Sequence, residues 1–183
     1  MPVVIVLIVL AALLLAFAVR MFNRLVKQRN QVADAWSGID VQLTRRADLV
    51  PNLVEVVKAY KVHEQETLED VTAARTAARQ AKGATATGDA EEKVGTAVGS
   101  LLAVAEAYPD LKANTNFQDL QTQLATLEED LSFARRYYNG TVRNYNTGQQ
   151  TFPVVIFARA FGFRPAEYFQ ADLDAKAAPS ARM

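Results

Sequence analysis

Residues 117–145 read FQDLQTQLATLEEDLSFARRYYNGTVRNY. Phe117, Leu120, Leu124, Leu127, Leu131, Ala134, Tyr138, Val142 and Tyr145 recur there at spacings of 3 and 4. That rhythm lines one face of an α-helix at 3.6 residues per turn. The stretch predicts an amphipathic helix of about eight turns, with its polar residues on the opposite face. Such a stripe needs other elements to cover it.

Three further stripes supply the cover. Leu25, Val32, Trp36, Ile39 and Leu43 stand 7, 4, 3 and 4 residues apart, a helical seam. A break follows in Arg45-Arg46-Ala47-Asp48-Leu49-Val50-Pro51, because the residue before a proline is pushed out of the α region. Asp48 is placed to cap a new helix with Pro51 in its first turn; the alternative is one long kinked helix. The second helix carries Leu53, Val57, Tyr60, Leu68, Val71 and Ala78, then fades into Lys82-Gly83-Ala84-Thr85-Ala86-Thr87-Gly88, where two glycines predict a loop. Val94, Val98, Leu101 and Ala105 mark a third helix ending at Tyr108-Pro109, before a turn from Asp110 to Asn116. The expected fold is all-α, a four-helix up-and-down bundle of long antiparallel helices. Residues 152–163 (FPVVIFARAFGF) are too short to span a membrane. They form either a short C-terminal helix closing the bundle or a segment resting at the lipid interface. From Ala171 onward the Ala, Asp, Lys and Pro content reads as a frayed tail.

At the other end, residues 3–19 are all Val, Ile, Leu, Ala or Phe, and Met21 and Phe22 extend the run past Arg20. Twenty such residues span roughly 30 Å, the thickness of a bilayer core. The expectation is a single-pass transmembrane helix with Arg20 snorkelling to the headgroups. The rival is a cleaved signal peptide ending at the small-x-small motif Ala16-Phe17-Ala18, but only Met1 and Pro2 stand where a basic leader region belongs. Arg20, Arg24, Lys27 and Arg29 follow the run, with no carboxylate before Asp34. By the positive-inside rule this juxtamembrane cluster puts the N-terminus outside and the helical domain in the cytoplasm. It also suits contact with anionic lipid. The expected organisation is an anchor at 1–22, a bundle domain at 23–170 and a tail at 171–183.

Composition narrows the chemistry. Lys plus Arg and Asp plus Glu number 20 each, so no global basic field exists to hold a nucleic-acid backbone. There is no cysteine and one histidine, which excludes disulfides, thiolate metal sites and cysteine nucleophiles. His63-Glu64 begins like a zinc-protease H-E-x-x-H, but position 67 is Thr and no second histidine exists. A di-iron bundle needs E-x-x-H on two helices, and the single histidine forbids it. None of the eight glycines makes a phosphate-binding pattern. Glu128-Glu129-Asp130 reads as a solvated helix face. No catalytic residue, cofactor, metal or small-molecule substrate is indicated.

Trp36, Asp40, Arg45, Arg46, Asp48, Asn52 and Glu55 crowd the first helix and the break, while Arg135, Arg136, Tyr137, Tyr138 and Asn139 sit on the last. These residues form either a hydrogen-bonded network joining helix ends or a protein-docking surface, since Trp, Tyr and Arg favour interfaces.

The same residues carry a family resemblance. The segments Ala35-Trp36-Ser37-Gly38-Ile39-Asp40-Val41-Gln42-Leu43 and Arg45-Arg46-Ala47-Asp48-Leu49-Val50-Pro51-Asn52-Leu53-Val54-Glu55 resemble the signature of the LemA family. So do His63-Glu64, Glu106-Ala107-Tyr108-Pro109-Asp110-Leu111-Lys112-Ala113-Asn114, Arg135-Arg136-Tyr137-Tyr138-Asn139 and Tyr145-Asn146. The resemblance runs in order from Arg20 to Phe169 and implies a bacterial membrane protein with an N-terminal anchor and a four-helix bundle. It implies no catalytic activity, cofactor or active-site residue. The expected function is a scaffold or adaptor at the bacterial inner membrane, working through a protein partner or a homo-oligomer. The alternative is a membrane-interface or lipid-binding protein using the basic cluster and residues 152–163.

Overall fold

The computed structural model describes residues 1–60 and 65–169. Six helices make up these residues: α1 Pro2–Ala59, α2 Gln65–Gln80, α3 Ala84–Ala105, α4 Pro109–Lys112, α5 Thr115–Gln150 and α6 Val154–Ala160. The fold is all-α, with no strand among the described residues, and α1 begins with a stretch long and apolar enough to cross a membrane. No residue of that apolar window is buried by the rest of the chain. Residues 171–183, expected as a tail, and His63-Glu64 lie outside the described residues.

The chain divides into two compact units. One comprises Met1–Ser37 and Tyr137–Ala166; the other comprises Gly38–Arg136 and the described residues from Glu167 on. In the second unit the later part of α1, α2, α3 and the first part of α5 share one core, with Val50, Leu53, Val57, Val71, Leu101, Leu111 and Leu127 fully enclosed. Tyr60 at the end of α1 accepts a hydrogen bond from Asn114 Nδ2 at 2.7 Å, while Arg46 reaches Glu128, so α1 and α5 run antiparallel there. Asn114 also caps α5, its Oδ1 accepting from the Phe117 backbone N–H at 3.0 Å.

The expected break at Asp48 does not occur, because α1 continues through Pro51 to Ala59. Proline inside a helix costs about 3 kcal/mol through its missing N–H and its clash with the preceding turn. Leu49, Val50, Leu53 and Val57 are all buried on the continued helix. Each such side chain contributes roughly 1.5–3 kcal/mol on burial, so their sum outweighs the proline. The loop expected at residues 82–88 is also shorter than the glycines suggested, with α3 starting at Ala84. Gly83 supplies the left-handed turn at φ +85°, whereas Thr87 and Gly88 are buried inside the helix, where small residues permit close packing.

In the first unit Leu25 of α1, Tyr145 of α5, Val154 and Ala158 of α6, and Phe163 form a small core. The segment after α6 is tied back to α5. Asn146 Nδ2 donates to the Ala166 carbonyl at 2.9 Å, its Oδ1 accepts from the Ala166 N–H at 2.8 Å, and Gln149 donates to the Arg164 carbonyl at 3.4 Å. Residues 152–163 thus contain a short C-terminal helix held by one face.

Candidate functional site

Arg46 is the most enclosed charge described, 2% exposed, and it meets Glu91 of α3, 7% exposed. Its Nη1 donates to the Glu91 carboxylate at 2.9 Å and to the Glu91 carbonyl at 3.1 Å, and its Nη2 pairs with the half-exposed carboxylate of Glu128. One planar guanidinium therefore joins three helices, a geometry suited to the wide, fixed multi-donor fork of arginine. Beside it, a cavity of about 20 Å³ is lined by Arg46, Arg75, Arg79 and Glu91 among others.

The same helices carry two weaker contacts. Arg45 lies 3.9 Å from Asp130, both half-exposed, a pair worth under about 1 kcal/mol. Arg135 stacks over the ring of fully buried Phe169, 5.2 Å from its centroid. Burial and the Arg46 charge lower the Arg135 pKa, while Glu91 and Glu92 oppose the shift.

In the first unit, Trp36 packs edge-to-face on Tyr138, ring centroids 5.5 Å apart at 63°. Asp40, Asn52 and Glu55 are exposed. The residues grouped by sequence thus separate into a Trp36–Tyr138 stack in one unit and an arginine-centred cluster in the other.

Sequence reading missed Glu91 and Phe169, and it took half-exposed Glu128, which pairs with Arg46, for part of a solvated helix face. The missed signal for Glu91 is phase: residues 91, 94, 98, 101 and 105 continue one helical stripe, so Glu91 is a carboxylate at a core position. Phe169 carries only the weaker signal of being the last aromatic residue in the chain.

Juxtamembrane geometry is aromatic as well as basic. Phe22 packs edge-on against Phe161 (5.4 Å, 70°) and Phe163 (5.5 Å, 65°), and Arg29 lies over Phe163 at 5.8 Å. Arg20, Arg24, Lys27 and Arg29 are all solvent-exposed. Residues 1–37 and 137–166 together hold seven Lys and Arg side chains and one carboxylate, Asp34. The rest of the sequence holds 13 basic and 19 acidic side chains.

An open groove of about 710 Å³ runs beside α2, lined by Lys58, Leu68, Glu69, Thr72, Thr76 and Gln80. Among the described residues no group of three or more His, Asp or Glu side chains gathers to hold a metal.

An all-α membrane protein with an arginine-pinned helical core is the class these features define. Residues 35–182 match the LemA family, and the chain belongs to it. Protein LemA of Metamycoplasma hominis is 25% identical over 150 residues, covering 81% of this chain and 68% of that protein. Magnetosome protein MamQ 2 of Paramagnetospirillum magneticum is 34% identical over 76 residues, and magnetosome protein MamQ of Magnetospirillum gryphiswaldense is 29% identical over 75. These matches cover 42% and 41% of this chain but only 28% of each magnetosome protein.

Proposed function

We propose that this LemA-family protein is a membrane-tethered scaffold without catalytic chemistry. Residues 1–22 serve as its anchor at the bacterial inner membrane, and the charge following the anchor favours a cytoplasmic helical domain. The observation that carries the reading is an exposed apolar pair, Val41 at 63% and Phe133 at 67% exposure. Val41 lies one turn before Arg45 and Phe133 one turn after Asp130 on antiparallel helices, so the Arg45–Asp130 pair sets the two at matching levels of α1 and α5. An aromatic and a branched aliphatic side chain left in water, edged by opposite charges, suit a protein contact.

Capture of the full-length protein in mild detergent, followed by native mass measurement, tests the proposal. Wild-type protein should carry a partner or a second copy, and Val41→Glu with Phe133→Glu should release it while leaving the melting midpoint nearly unchanged. Recovery of the bare monomer from wild type would sink the scaffold reading. A second reading, a protein of the lipid interface, is favoured by the contact of Phe22 with Phe161 and Phe163.

A further inference from the structure

We propose that residues 152–161 form a second membrane contact, with Phe152, Ile156 and Phe161 seated at the acyl-chain boundary and Arg20, Arg24 and Arg159 holding lipid phosphates. The inference deepens the lipid-interface reading and rests on α1 crossing the bilayer. Three observations converge on it.

The first is level. The apolar run of α1 ends at Val19 and is extended by Met21 and Phe22, and Phe22 touches Phe161 and Phe163 directly. Phe161 therefore lies at the depth where α1 leaves the hydrocarbon.

The second is the direction of the apolar face. Helix α6 buries Val154 and Ala158 against its own unit, yet Phe152, Ile156 and Phe161 are 77, 60 and 55% exposed. A seven-residue helix reaches about 10 Å and cannot span the bilayer, but it fits in the interfacial plane. The bonds of Asn146 to Ala166 and of Gln149 to Arg164 fix the segment from its protein side, while Phe152, Ile156 and Phe161 keep more than half of their surface uncovered.

The third is charge. No carboxylate occurs in residues 1–33 or 137–166, while Arg20 and Arg24 stand two residues either side of Phe22 in the chain and Arg159 two before Phe161. Such a field suits the anionic headgroups of a bilayer. It does not call for a protein partner, and an aromatic segment beside basic side chains is the composition that interfacial helices use.

The absence of native cysteine makes the test clean. Full-length protein with one cysteine at a time (Leu10→Cys, Ile156→Cys, Phe161→Cys or Ser100→Cys) is labelled with an environment-sensitive fluorophore. Each is reconstituted in vesicles of phosphatidylcholine and phosphatidylglycerol. Labels at 10, 156 and 161 should be quenched by nitroxide carried on lipid chains and shielded from aqueous iodide, and the label at the exposed Ser100 should behave oppositely. Iodide quenching at 156 and 161 as strong as at 100, with position 10 still in lipid, would overturn the second contact and leave the anchor standing. Shielding from iodide without lipid quenching would mean a protein covers these side chains, and would equally overturn it. An aqueous label at position 10 would remove the anchor and this proposal together. For the phosphates, native mass measurement should show Arg20→Gln, Arg24→Gln and Arg159→Gln combined losing retained phosphatidylglycerol about fivefold or more. Undiminished retention would refute the arginine assignment.

Discussion

Replacing Arg46 by methionine isolates the cost of one buried charge. Arg46→Met keeps an apolar stem of similar reach but strips Glu91 of both guanidinium bonds, at 2.9 and 3.1 Å, while leaving that carboxylate enclosed. Breaking a buried pair from one side typically costs 3–5 kcal/mol. The lower end applies here, because the half-exposed carboxylate of Glu128 can turn to water and contributes little. About 3 kcal/mol corresponds to a fall of roughly 6–12 °C in melting midpoint for a chain of this size. Following the helical signal at 222 nm in detergent, at one fixed scan rate, measures the shift. The decisive comparison is Arg46→Met with Glu91→Leu, which removes the stranded charge and should return the midpoint to within roughly 4 °C of wild type, since apolar replacement of a whole buried pair is often neutral. Arg135, whose guanidinium senses both Arg46 and Glu91, is the neighbour able to compensate. Adding Arg135→Met to Arg46→Met should therefore deepen the loss. A single variant that melts within about 2 °C of wild type, or a double variant no better than the single, would refute the reasoning.

Two other expectations follow from particular atoms. A Cβ added at Gly99, inside α3, meets nothing within 4 Å, so Gly99→Ala should gain about 0.5–1 kcal/mol of helix stability, a rise of roughly 1–4 °C; a lower midpoint would contradict it. Burial raises the Tyr145 pKa, against the Arg29 charge, so the neutral phenol is favoured in the folded state. Stability from this group is whole below the unfolded value near pH 10 and falls as pH rises from there toward the folded value, because the unfolded chain ionises first. The midpoint of wild type should consequently drop more steeply than that of Tyr145→Phe between about pH 9 and 11, and parallel slopes would disprove the assignment.

The long stripe from Phe117 to Tyr145 was legible because its 3 and 4 spacing is unbroken, and α5 carries it through to Gln150. The continuity of α1 was legible too, but harder to see. Residues 39, 43, 46, 50, 53 and 57 keep one helical phase straight across Pro51, and Arg46 occupies a core position in that series. A proline-breaking rule weighs one local penalty, whereas the burial that overrides it depends on three other helices. The same holds for Glu91, which looks like one more surface carboxylate until Arg46 is placed opposite. Local propensity carries no information on such pairing, and two charges that interrupt two apolar stripes are the trace it leaves. Phe161 and Phe163 are apolar in any reading, but their partner Phe22 lies 139 and 141 residues away in sequence, beyond what periodicity can connect.

The uneven distribution of charge gives this protein two chemical characters beneath one neutral total. Isoelectric focusing, which responds to the sum, will place it near pH 6.6 like an unremarkable cytosolic chain. Ion-exchange media respond to local fields and extend about a Debye length into solution, roughly 10 Å in 0.1 M salt. In low-salt detergent a sulfonate bed should hold it through residues 1–37 and 137–166, with their seven cations against one carboxylate, and a quaternary ammonium bed through the remainder. Crowded copies in one membrane would then meet as amphoteric surfaces whose attraction fades as salt rises.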